Sequence, residues 1–81
     1  MPRIQAENVV AHRQLVRGRI LDAFGEVMHE RGFTALTLSV VAERAGVGRS
    51  TIYIYATDKN DLLLVFVERS VDQFLERIRG E

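Results

Sequence analysis

The stretch from Thr37 to Lys59, TLSVVAERAGVGRSTIYIYATDK, divides into two short helical patterns around a glycine turn. Leu38, Val41, Ala42 and Ala45 recur at the three-and-four spacing of one buried helix face. Gly46-Val47-Gly48 follows, then a second segment from Ser50 to Tyr55, then Asp58-Lys59 as a stop. Thr37 carries the hydroxyl of an N-cap. Gly46 can take the left-handed conformation that ends a helix at no steric cost. Val47 is an apolar plug between the helices, and Gly48 serves as the second N-cap. Two helices of about two turns joined in this way make a helix-turn-helix, whose second helix can lie in a DNA major groove.

In that second segment Ile52 is the buried anchor, and Arg49, Ser50, Thr51, Tyr53 and Tyr55 cover the remaining surface. An arginine at position 49 can donate a bidentate pair to guanine O6 and N7, and Ser50 and Thr51 can reach base edges or a thymine methyl. The long phenols of Tyr53 and Tyr55 suit backbone phosphates, which position a domain without reporting sequence. The free N–H groups at the start of the helix also favour phosphate. Ile54 has two readings: contact with a thymine methyl or sugar, or packing back onto the first helix. Ser39, Glu43 and Arg44 lie outside the core of the preceding helix.

Upstream, the pattern is helical from near Val9 to Arg31, with Val16, Ile20, Ala23, Phe24, Val27 and Met28 on one buried face. Asn8 reads as its N-cap and Gly32 as its terminal glycine. Residues 1–8 read as a flexible arm, from which Arg3 can reach a minor groove. Phe33 and Leu36 turn inward across the connection. Downstream, Asp58 as N-cap with Asp61 three residues on resembles a capping box. Lys59 in that first turn opposes the helix dipole. Leu62 to Val67 is apolar on every face, continued by Val71, Phe74, Leu75 and Ile78. Three helices cover only one side, so the other side is expected to pack on residues outside these 81.

Eighty-one residues with 47% hydrophobic content and one proline describe a single small all-helical domain. With no cysteine, a disulfide framework or cysteine-based metal site is excluded. His12 and His29 stand seventeen residues apart without metal-ligand spacing, so no metal or cofactor is expected. The N-terminus has no signal-peptide core, and the longest apolar run, six residues, cannot span a bilayer. These features fit a cytoplasmic protein. Neither a nucleophile–base pair nor a phosphate-cradling loop after a strand is present, so catalysis is not expected. The net charge is zero, but Arg3, Arg13, Arg17 and Arg19 crowd the first twenty residues, and Arg44, Arg49 and Lys59 surround the turn. Within a Debye length of about 8 Å, that local distribution outweighs the total.

Arg-Gly-Phe-Thr-Ala-Leu-Thr (31–37), then Val41 to Tyr53, then Lys59 and Leu62-Leu63, resembles the DNA-binding domain of TetR/AcrR-type bacterial transcriptional repressors. The similarity runs from about Arg17 to Phe66. Three positions depart from the family pattern: Gly48 replaces a frequent serine, Ser50 a frequent glycine, and Ala56 a usual phenylalanine. The resemblance implies an all-α, homeodomain-like helical bundle with a helix-turn-helix, made of three core helices plus the start of a long fourth. It divides the chain into the arm (1–8), the helix-turn-helix domain (9–57) and a fourth helix (58–81) leading to a C-terminal domain for effector binding and dimerisation. It also implies a phosphate contact for Lys59. The expected contacts are Ser39, Arg49, Ser50 and Thr51 toward bases, and Thr37, Gly48, Tyr53, Tyr55 and Lys59 toward phosphate. Sequence-specific binding of a palindromic operator by a homodimeric repressor, relieved by a small-molecule effector, is the expected function. The competing expectation is a protein-interaction module that uses the apolar fourth helix.

Overall fold

The computed structural model describes residues 2–80, with side chains described from Asn8 to Gly80. Among these residues there are four helices and no strand: α1 (Pro2–Ala35), α2 (Leu38–Ala45), α3 (Arg49–Tyr55) and α4 (Lys59–Arg79). α1 begins well before the expected Val9. The backbone of residues 2–8 is helical rather than an arm, and Asn8 lies inside the helix instead of capping it. Nothing from Ile4 to Glu7 breaks a helix, and Pro2 sits at the first helical position, where its fixed φ and missing N–H do no harm. The side chain of Arg3, and any minor-groove contact by it, lies outside the described residues.

Each expected joint is formed by the residue types that suit it. Gly32 departs from helical geometry at φ 80°, ψ 164°, which only a residue without Cβ adopts readily, and it kinks the end of α1. The Thr37 hydroxyl accepts the Val40 N–H at 3.2 Å to start α2. Gly46, at φ 76° and ψ 31°, closes α2. The bonds from Val47 N to Ala42 O (3.0 Å) and from Gly46 N to Glu43 O (3.1 Å) make a Schellman ending. Asp58 caps α4 by accepting the Asp61 N–H at 2.8 Å, and the Asp61 carboxylate accepts the Thr57 N–H at 2.9 Å.

The core is contiguous. Val16, Ile20, Ala23, Phe24 and Val27 of α1 meet Leu36, Val41 and Ala42, then Ile52, Ala56 and Leu62. Leu21 is fully buried as well, although it falls outside the stripe read from spacing. α1 is covered from two sides, by α2 and by α4, which widens its buried sector. Full burial of one such leucine or phenylalanine contributes about 1.5–3 kcal/mol. Ala45 and Met28 are only half-buried, at the edge of this core. The Phe24 and Phe66 rings pack at 5.1 Å with a 44° tilt, joining α1 to α4. An Asp22–Arg69 pair at 3.0 Å supports the same contact. Beyond it α4 leaves the bundle: every described residue from Val71 to Gly80 is exposed. No helix among the described residues is long and apolar enough to cross a membrane.

Candidate nucleic-acid interface

Ile52 is the anchor of α3, with Tyr55 packed beside it. Ile52 is fully buried, and the turn around it is fixed by Thr51 N and Ile52 N donating to Gly48 O. Ala56 ends the helix with its N–H on Ile52 O at 3.1 Å and its methyl in the core, so the position where the family pattern has phenylalanine is filled by a small buried residue. At about 100° per residue, Ser50 and Ile54 point directly away from Ile52, with Arg49 and Tyr53 on one flank and Thr51 and Tyr55 on the other. Arg49 and Ser50 are exposed, Tyr53 is 51% exposed and Ile54 is 70% exposed. Ile54 therefore does not fold back on α1. Thr51 is half-buried at the seam with the glycine turn.

The expected phosphate set separates into two groups. Thr37 and Tyr53 line an open cleft of about 340 Å³ together with Ser39, Thr57, Asp58 and Lys59. The Thr37 oxygen is already an acceptor for Val40, which leaves its own proton to donate outward. Gly48 is exposed at the start of α3, in extended geometry (φ −72°, ψ 157°) and with no side-chain cap bond. Tyr55 is placed differently: half-buried, its hydroxyl points to the Arg13 carbonyl at 3.5 Å, across to α1. Lys59 is also directed inward. Its ammonium faces the carbonyls of Phe33 (2.8 Å), Thr34 (3.2 Å) and Leu36 (3.2 Å), and lies 4.6 Å over the Phe33 ring. All three ammonium hydrogens thus have acceptors at the broken end of α1. Lys59 opposes the dipole of its own helix because it caps the carbonyl end of another.

Arg44 is likewise engaged with the protein. It donates two bonds to Glu30, at 2.9 and 2.7 Å, and one to Glu26 at 3.3 Å. These bonds hold the Glu30 carboxyl below its ordinary value of 4.5 and raise the guanidinium further above its own. Arg44 therefore clamps α2 to α1. The exposed set that remains around α3 is Ser39, Thr37, Gly48, Arg49, Ser50, Tyr53 and Ile54. The sequence left Ile54 between two places, because its apolar type argues for burial while the period turns it outward, and it did not single out Thr57, a loop residue exposed at the edge of the cleft. Among the described residues no group of His, Cys, Asp and Glu is arranged to hold a metal.

The profile of the family described as "Bacterial regulatory proteins, tetR family" matches residues 20–66, from the middle of α1 through the first third of α4. The chain is 38% identical over 63 residues to the fatty acid metabolism regulator protein of Bacillus subtilis, a match covering 78% of this chain and 32% of that protein. It is 35% identical to the transcriptional activator FasR of Mycolicibacterium smegmatis, covering 78% and 29%. Its fold matches that of the fatty acid degradation regulator FadR from Bacillus halodurans, with a TM-score of 0.76, 33% identity, and 79% and 34% covered. It also matches a TetR-family transcriptional regulator from Haemophilus influenzae, with a TM-score of 0.74, 28% identity, and 78% and 34% covered. The chain spans about a third of the length of these relatives. A helix-turn-helix with an exposed second helix, within a profile that covers more than half of the residues, makes this chain a member of the tetR family of bacterial transcriptional regulators, with a DNA-binding helix-turn-helix domain.

Proposed function

We propose that this chain is the operator-reading head of a cytoplasmic homodimer, in which two copies of α3 enter successive major grooves of a palindromic site roughly 34–36 Å apart. One observation carries the reading: Ile52 is the one fully buried side chain of α3, and the face opposite it is bare. In this arrangement Arg49 and Ser50, with Thr51 and Ser39 beside them, read base edges. Thr37, Gly48 and Tyr53 hold the phosphates that flank them. The Lys59 charge behind the cleft favours phosphate through its field, while its hydrogens stay on the carbonyls of Phe33, Thr34 and Leu36.

Repression is the favoured action, since occupying an operator is enough to block transcription and needs no further contact. A small molecule bound C-terminal to the head would relieve it by changing the separation of the two heads. The likeness to two fatty-acid regulators falls within the DNA-reading head, so it supports a shared mode of operator binding rather than a shared effector.

The exposed row on α4, Leu64, Val67, Val71, Phe74, Leu75 and Ile78, favours a second reading in which α4 is a protein-docking surface and α3 only packs. Selection of bound duplexes from a random pool, followed by titration of Arg49→Ala, separates the two. The first reading expects a consensus half-site and a loss of about 1–3 kcal/mol per bidentate contact removed. Absence of any sequence preference would sink it.

A further inference from the structure

Ser50 and Ile54 form a ridge on the outermost side of α3, within about 40° of each other around the axis and separated by about 6 Å along it. Ser50 can pair with a base edge, but Ile54 has no polar atom to offer. A 70% exposed isoleucine one turn beyond a base-facing serine, on a helix otherwise lined with hydroxyls and an arginine, calls for an apolar counterpart. If Ile54 pressed on a phosphate it would strip water from a charged group and return no hydrogen bond, which is unfavourable. The floor of the major groove offers one apolar group, the C5-methyl of thymine. The 6 Å offset corresponds to nearly two base steps of roughly 3.4 Å, so Ile54 and Ser50 address different base pairs.

We infer that Ile54 is a specificity-determining residue that recognises a thymine methyl in each half-site. The inference rests on the operator-binding reading above and deepens it. Packing one methyl against the isoleucine removes about one carbon group from water, roughly 0.8 kcal/mol, or about fourfold in affinity per half-site and about fifteenfold across a palindrome.

The test uses the best-bound duplex from random selection, with each thymine replaced in turn by deoxyuridine, which lacks only the methyl. The chain is expected to lose about fourfold at one thymine per half-site and to be indifferent at the same position in Ile54→Ala. Ile54→Val, which keeps a branched apolar tip, should retain the discrimination. Ile54 is exposed, so both variants are expected to fold, and circular dichroism checks this. Affinity unchanged at every deoxyuridine would overturn the inference while leaving operator binding intact. So would an Ile54→Ala protein that still discriminates. A chain that selects no duplex refutes the operator reading itself, and the methyl contact with it.

Discussion

The ammonium of Lys59 lies 2.8 Å from the carbonyl oxygen of Phe33 and 4.6 Å from the centroid of the same residue's ring. One side chain at the start of α4 thus closes the broken end of α1, through charge-assisted bonds on one side and a cation–π contact on the other. Lys59→Ala is expected to lower stability by about 1.5–3 kcal/mol, read by urea denaturation. Lys59→Met keeps the stem over Phe33 and separates the three bonds from the packing. At equal folded fraction, the loss of DNA affinity in either variant should be the same for selected and random duplexes, because the charge acts on phosphate and not on bases.

Arg44 predicts a pH dependence. The Glu30 carboxyl is held below 4.5 chiefly by the hydrogen bonds from Arg44. A folded value below the unfolded one means that ionised Glu30 favours the fold. The contribution is fully present above about 4.5 and is lost as pH falls through the lowered value. Arg44→Ala should therefore be less stable than the parent at neutral pH, with the gap narrowing in acid. Thermal unfolding at a series of pH values from neutral to acid checks this. Its DNA affinity at equal folded fraction should stay near that of the parent.

Two glycines in α1 should respond in opposite ways to the same substitution. A Cβ on Gly18 would meet nothing within 4 Å, so Gly18→Ala gains helix propensity and is expected to stabilise by about 0.5–1 kcal/mol. A Cβ on Gly25 would stand 3.1 Å from Cε1 of Phe66, inside ordinary contact distance. Gly25→Ala must displace that ring and loosen its seat on Phe24, which offsets the propensity gain. Melting temperatures should rank Gly18→Ala above the parent and Gly25→Ala no higher than it.

The anchor of α3 gives the largest expected effect. Ile52→Ala leaves a cavity at a fully buried site and should cost about 2–5 kcal/mol by denaturant titration. The remaining folded molecules should also lose sequence preference, since only the half-buried Tyr55 is then left to fix which face of α3 points outward.

Much of the fold was legible because it is written in local chemistry. Thr37, Gly46 and Asp58 mark helix ends through their own side chain or the lack of one, and each marks the end it was read to mark. The start of α1 was not legible, because Asn8 has a capping side chain that a continuing helix does not use. At the candidate site, the burial of Ile52 and the exposure of Arg49, Ser50 and Tyr53 followed from period alone. Tyr55 and Lys59 did not: the partners that draw them inward, the carbonyls of Arg13, Phe33, Thr34 and Leu36, lie 23 to 42 residues away in the chain. A backbone acceptor has no residue type, so no sequence pattern announces it. Ile54 remained ambiguous for another reason: the period turns it away from Ile52, but its apolar type argues for burial.

From Leu38 to Lys59 the cations are Arg44, Arg49 and Lys59, and two of the three are held by the protein's own oxygens. Within the helix-turn-helix segment itself, the charge offered to a duplex is therefore light, whatever the exposed arginines of α1 (Arg13, Arg17 and Arg19) add at its flank. Such a head should let go of arbitrary DNA quickly, searching by brief landings rather than long sliding runs. Its dwell time would then depend on the fit between side chains and base edges more than on the ionic strength around it.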